Sequence, residues 1–129
     1  MISIEYKAPT RPLSINESNR LHWAERRRRL KPYENATINA FRKLDKKQKD
    51  LLKNHKIKIS VTITFAKNAR RDPHNYVSTV CKVIVDALIF EGLAKDDTSN
   101  FITVDEPVIR IDKDEKIIID LIPLNKLGV

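Results

Sequence analysis

Between Ile57 and Phe65 every second residue is apolar: Ile57, Ile59, Val61, Ile63 and Phe65 alternate with Lys58, Ser60, Thr62 and Thr64. Successive side chains of a strand point to opposite faces, so this alternation predicts a half-buried β-strand. Any fold open to the chain must therefore supply a sheet with one covered face. The flanking segments supply the cover. Downstream, Tyr76, Thr79, Val80, Val83, Ile84, Ala87 and Leu88 recur at helical spacing, and Gly92 then marks a helix stop. Upstream, from about Asn19 to Leu52, Trp23, Leu30, Thr37, Ala40, Phe41 and Leu44 fall near one helical face. Pro32 lies inside that stretch; it has no N–H to donate and its ring crowds the preceding turn, so two helical pieces are expected in place of one rod.

The ends of the chain read as strands. Ile2 to Tyr6 alternates and then meets Pro9 and Pro12, a short first strand followed by an irregular approach to the helices. Pro107 to Ile111 and Lys116 to Ile122 are strand-like around the polar Asp112-Lys113-Asp114-Glu115, which predicts a C-terminal hairpin. The expected order is β-α-β-α-β-β. Residues 1–129 then form one two-layer α+β domain, with helices on one face of a mixed sheet.

Charge narrows the function. Twenty-five Lys and Arg against seventeen Asp and Glu leave a net charge of +8, and Arg26 to Arg29, Lys31, Lys43, Lys46, Lys47, Lys49 and Lys53 load the first half. Such an excess points to nucleic acid, as in ribosomal proteins, DNA-binding modules and nucleases. Cys81 is the only cysteine, which excludes an intramolecular disulfide, and its neighbours Val80 and Val83 favour a buried helix position over a reactive thiol. Met1 to Tyr6 lacks the basic lead and apolar core of a signal peptide, and no apolar run approaches the ~20 residues of a membrane span. A cytoplasmic protein without a membrane partner is expected.

Acids stand out against this basic background between Arg70 and Asp97. Asp72-Pro73 has a plain reading as a helix start, with Asp as the cap and proline in the first turn. Asp96-Asp97-Thr98-Ser99-Asn100 reads equally well as a solvated loop. In combination they suggest more, because acids at both ends of one helix could hold a metal ion where a polyanion is cut. A helix from about Pro73 to Glu91 would be ~28 Å long, so the two ends meet only if the Gly92 loop folds back, the helix is shorter, or the next strand runs beside the first. Asn75, Ser78, Lys82 and Asp86 share a polar stripe; it is either a solvated face or one that sets Lys82 beside a scissile phosphate. Four successive arginines turn by 100° each, so Arg26 to Arg29 point around most of a helix. Trp23 is expected in the core rather than as a platform for a base, and His22 and His55 have no ligand spacing.

Arg70-Arg71-Asp72-Pro73-His74-Asn75, Lys82-Val83-Ile84-Val85-Asp86-Ala87-Leu88 and Gly92-Leu93-Ala94-Lys95-Asp96-Asp97 together resemble the signature of the RusA family of Holliday junction resolvases. Ser14-Ile15-Asn16 and Asn19-Arg20-Leu21-His22-Trp23, with the basic run behind them, resemble the start of such proteins; the likeness spans roughly Pro12 to Phe101. These are small homodimeric endodeoxyribonucleases of DNA recombination and repair, often carried by phages and prophages. The resemblance implies Mg²⁺ as cofactor, with Mn²⁺ as a substitute, and four-way junction DNA as partner. It implies catalytic roles for Asp72, Lys82 and Asp97, and metal ligation by Asp72, Asp96 and Asp97. Asp86 matches a recurrent acid of open role. One position departs: the second aspartate of the family's D-x-D-N is His74 here, which keeps a possible metal ligand and removes a charge. Arg20, Arg26, Arg27, Arg28, Arg29, Lys31, Arg70 and Arg71 are the expected DNA-binding cations. Two alternatives stand beside the nuclease: a non-catalytic, structure-specific DNA-binding protein with a degraded metal site, and a basic RNA-binding module, against which the lack of an RNP-like aromatic motif counts.

Overall fold

In a computed structural model, which describes residues 1–128, the chain runs β1 (Ile2–Lys7), α1 (Ile15–Arg20), α2 (Trp23–Arg42), α3 (Lys46–Lys53), β2 (His55–Phe65), a 3₁₀ turn (Pro73–Tyr76), a π-helical segment (Val77–Cys81), α4 (Lys82–Phe90), β3 (Ile102–Val104), β4 (Val108–Ile111) and β5 (Lys116–Lys126). The class is α+β with a mixed sheet, as expected, and the sheet has five strands in place of the four read from the sequence.

Strand β2 organises the sheet. It pairs antiparallel with β5 and parallel with both β3 and β4, while β1 pairs only with β5. The register sets Ile59 opposite Leu121, Val61 opposite Ile119 and Ile63 opposite Ile117; on β1, Ile2 and Ile4 face Leu121 and Ile119 in turn. These side chains make one apolar face. It is buried with Tyr33, Ile38 and Phe41 of α2 and Val80, Ile84 and Leu88 of the second helical layer in a single core. The period-two reading is thus right for the inner face, but from Val61 to Phe65 both faces are buried, Thr64 of the outer face bonding the turn that carries Asp114 and Lys116.

Three expectations fail here for identifiable reasons. The C-terminal strands form no hairpin: β2 lies between β4 and β5, and the turn after β4 crosses its end. That crossing is held by specific bonds. Phe65 O accepts from Asp112 N, the Thr64 hydroxyl donates to Asp114 O, and Lys116 N donates to the same hydroxyl oxygen at 2.7 Å. Strand β3 was also absent from the expected order; three residues are too few for an alternating pattern to register. In the first half, Pro32 does not end a helix but sits inside α2. The carbonyl it leaves unbonded belongs to Arg28, four residues back on an exposed stretch where water can take it. The actual break comes at Lys43 to Asp45, where Asp45 and Gln48 form a reciprocal capping box that starts α3.

The helical stripe carries a correction as well. Thr37, Phe41 and Leu44 are buried, but Trp23 is 65% exposed and does not join the core. Trp23, Leu30, Thr37 and Leu44 are spaced by seven, and an α-helix drifts about 20° per heptad. The end of such a stripe therefore rotates out of the interface. Tyr33, Thr37 and Phe41 hold α2 instead: Thr37 Oγ1 donates to Tyr33 O at 2.7 Å and lies 2.8 Å from the hydroxyl of Tyr6 on β1.

Candidate functional site: acids at both ends of one helical rod

Asp72 stands seven residues beyond Phe65, at the end of β2 where β4 finishes alongside. Its Oδ1 accepts the backbone N–H of His74 at 3.0 Å, with Pro73 opening the 3₁₀ turn, so the helix-start reading is realised. The preceding loop is drawn in by Arg71. Its guanidinium lies 3.9 Å from the centre of the Phe65 ring and donates to Lys67 O and Ala69 O, which commits Arg71 to shaping the loop. Arg70, Asp72 and His74 face solvent.

Asp96 and Asp97 lie at the other end. After Phe90 the chain stops at Gly92, whose φ of 71° suits a residue without Cβ, and Leu93 N returns to Leu88 O. Leu93 and Lys95 then share a recess with Leu52 and His55, at the start of β2. Asp96 Oδ1 accepts from Thr98 N at 2.8 Å, and hydrogen bonds from the Thr98 hydroxyl and N–H hold the Asp96 carboxyl below the usual carboxylate range. Asp97 is exposed.

From Pro73 to Phe90 the helical rod is about 27 Å long at ~1.5 Å per residue. The loop after it does not fold back, since Ile57 N bonds Phe101 O and β3 begins beside Ile57, far from Phe65. Asp72 and His74 are therefore separated from Asp96 and Asp97 by the length of the rod. Among the described residues, no three His, Cys, Asp or Glu side chains gather in one chain so as to hold a metal ion. The four candidate ligands lie as two pairs, Asp72 with His74 before and in the first turn of the rod and Asp96 with Asp97 beyond its end.

Lys82 and Asp86 occupy the middle of the rod. Lys82 is ten residues, or about 15 Å, along from Asp72, and its Nζ lies 3.4 Å from Asp86 Oδ1 with both side chains more than half exposed. Lys82 thus lies along the rod from Asp72 rather than beside it. Lys82, Asp86 and Ser78 line a cleft of about 320 Å³ between α2 and the rod, and Trp23, Arg26 and Arg27 line its other wall. Asn75 belongs to the expected stripe but not to the cleft lining; it lies in the 3₁₀ turn that precedes the π segment. Cys81 closes that segment on the buried side, where desolvation pushes its thiol up to about 11 and leaves it unreactive.

The arginine run fans out as the 100° step requires. Arg26 is turned inward, donating to Ser18 O and Leu21 O and fixing the α1–α2 corner, while Arg29 donates to Arg11 O. Arg28 pairs with Glu25 and Lys31 with Glu34, both on the surface. Arg20 and Arg27 are exposed. Trp23 is what sequence reasoning missed in this neighbourhood, and its heptad spacing is the signal that could have found it. No protein-family model matches this chain, and no curated protein matches it.

Proposed function

We propose that this chain is a metal-dependent endodeoxyribonuclease of the RusA type that resolves Holliday junctions as a homodimer. The observation that carries the reading is the placement of exposed acids, Asp72 and Asp97, at opposite ends of one rod whose middle is flanked by Lys82 and Arg27 on a chain of net charge +8. A basic surface draws in DNA, and acids are tolerated there because they have metal to hold.

The separation of those acids supports the dimer. Two copies related by a two-fold axis, with their rods antiparallel, would bring Asp72 and His74 of one copy toward Asp96 and Asp97 of the other, at two equivalent places. Carboxylates suit Mg²⁺, which when bound activates water and offsets charge on the phosphate. Within each copy, the Asp72 cap and the Asp96–Thr98 bond hold the acids in place, and Arg20, Arg27 and Lys82 hold the DNA backbone.

A second reading is favoured by that same separation together with His74: a structure-specific DNA-binding protein that does not cut. The two divide on a labelled four-way junction, where symmetric cuts in Mg²⁺ that vanish with chelator are expected; tight binding with no cuts in Mg²⁺ or Mn²⁺ would establish the second. On either reading, replacing Arg27 and Arg28 by Ala should weaken junction binding and flatten the plot of log K against log salt by about 0.9 for each duplex phosphate that is no longer neutralised. Binding measured from low to moderate salt gives the slope, and an unchanged slope would place both arginines off the DNA. Arg26→Ala should act on stability instead, because its guanidinium is spent on backbone carbonyls.

A further inference from the structure

Trp23 is the only tryptophan, and most of its surface is in water at the first position of α2. Burying a Trp contributes more apolar area than almost any other side chain, so leaving it exposed forgoes that stabilisation. The ring is placed beside a neighbour of defined geometry: His22 caps α2 through Nδ1, which accepts from Ala24 N, and its ring centre is 5.5 Å from that of Trp23. Trp23 also forms one wall of the cleft whose volume, about 320 Å³, is at the lower end of the ~300–1,000 Å³ of small-molecule sites. The cleft's chemistry is mixed in a particular way. Trp23 and Leu30 offer apolar surface, Arg27 and Lys82 offer positive charge, Ser78 offers a hydroxyl, and two carboxylates also line it, Glu34 paired with Lys31 and Asp86 with Lys82.

We infer that this cleft takes one unstacked nucleobase of the DNA, its face against Trp23 and its phosphate against Arg27 and Lys82. The inference rests on the reading of the chain as a junction nuclease and adds what part of the substrate it grips. An aromatic face flanked by cations matches a nucleotide, which is flat and apolar on one side and anionic on the other. A continuous duplex has no base to offer, because every base is stacked and paired. A junction has free base faces at the point where its strands exchange, so the cleft lets the protein tell a branch from ordinary DNA. Asp86, one turn further along the same wall and 3.4 Å from Lys82 Nζ, disfavours a second phosphate.

A single Trp makes the test direct. Intrinsic fluorescence of the full chain is followed in chelator, so that nothing depends on cleavage, while a four-way junction or an unbranched duplex of the same arm sequence is added. The junction should quench Trp23 and the duplex should not. Trp23→Ala should weaken junction binding about 5- to 150-fold, the range set by removal of one base–aromatic stack, and leave duplex binding and the salt slope unchanged. Trp23→Phe should retain most of the affinity. Equal binding of junction by Trp23→Ala and the unaltered protein would overturn the inference, as would equal losses on junction and duplex. A fluorescence change that follows protein concentration without DNA would also overturn it, by making the cleft an interface between protein chains. Absence of any DNA binding would remove the nuclease reading together with this one. Selective junction binding without cleavage in Mg²⁺ would remove the nuclease reading alone.

Discussion

Asp72→Asn and Asp97→Asn should each lower junction cleavage by on the order of 10³-fold, the scale on which loss of a preorganised charge acts, while junction binding stays nearly intact. Taking a negative charge from a DNA-binding surface does not reduce its attraction for phosphate. A mixture of the two inactive variants is the more informative measurement. If each site joins Asp72 of one copy to Asp97 of the other, a mixed dimer contains one intact site and one doubly altered site. It should nick one strand of the junction and fail to make the paired cut. If each site is assembled within one copy, both sites of the mixed dimer carry a lesion and the mixture stays inactive. Nicked product from the mixture, compared with each variant alone, decides between these arrangements; full activity in either variant alone would remove that acid from the site.

The largest effect on stability is expected at Phe41. Its ring is fully buried on α2, in the core shared with β2 and α4, and α2 carries both Trp23 and the arginines. Phe41→Ala should cost about 3–5 kcal/mol, from lost transfer energy and the cavity left behind, out of a total of roughly 5–15 kcal/mol for a domain. The expected fall in Tm is about 10–20 °C, measured by calorimetry or by circular dichroism. A shift of only a few degrees would mean that α2 is held chiefly by Tyr33 and Thr37.

How far the sequence could be read depends on what each pattern encodes. Alternation from Ile57 to Phe65 signalled a strand faithfully, because period two is a property of the backbone itself. It could not signal partners: nothing in the two C-terminal strands says that β2 comes between them, and the polar Asp112–Glu115 turn looks the same whether it closes a hairpin or spans a third strand. The helix after Asp72 was legible in its cap and in its stop at Gly92, but not in its pitch. Tyr76, Val80, Ile84 and Leu88 are all buried and all four apart, which is too wide for an unbroken α-helix to keep on one face. The π segment, whose bonds reach one residue further, takes up the difference, and the spacing of four was its trace in the sequence. The distance between Asp72 and Asp97 could be estimated from helix length. Whether the loop folded back depended on β3, a strand too short to foresee.

The strand order has a consequence for how the chain comes to be folded as it is made. Of the described strands, β1 leaves the ribosome first and pairs only with β5, the last of them to be made, and β5 also lines the long side of β2. A growing chain can form its helices early, since their bonds are local, but its sheet lacks an inner strand until synthesis has passed Lys126. Such long-range pairing is slow to form and leaves strand edges open in the meantime. Truncation from the C-terminus therefore removes the middle of the sheet, and even a deletion confined to Lys116–Lys126 leaves β1 with no partner among the described strands.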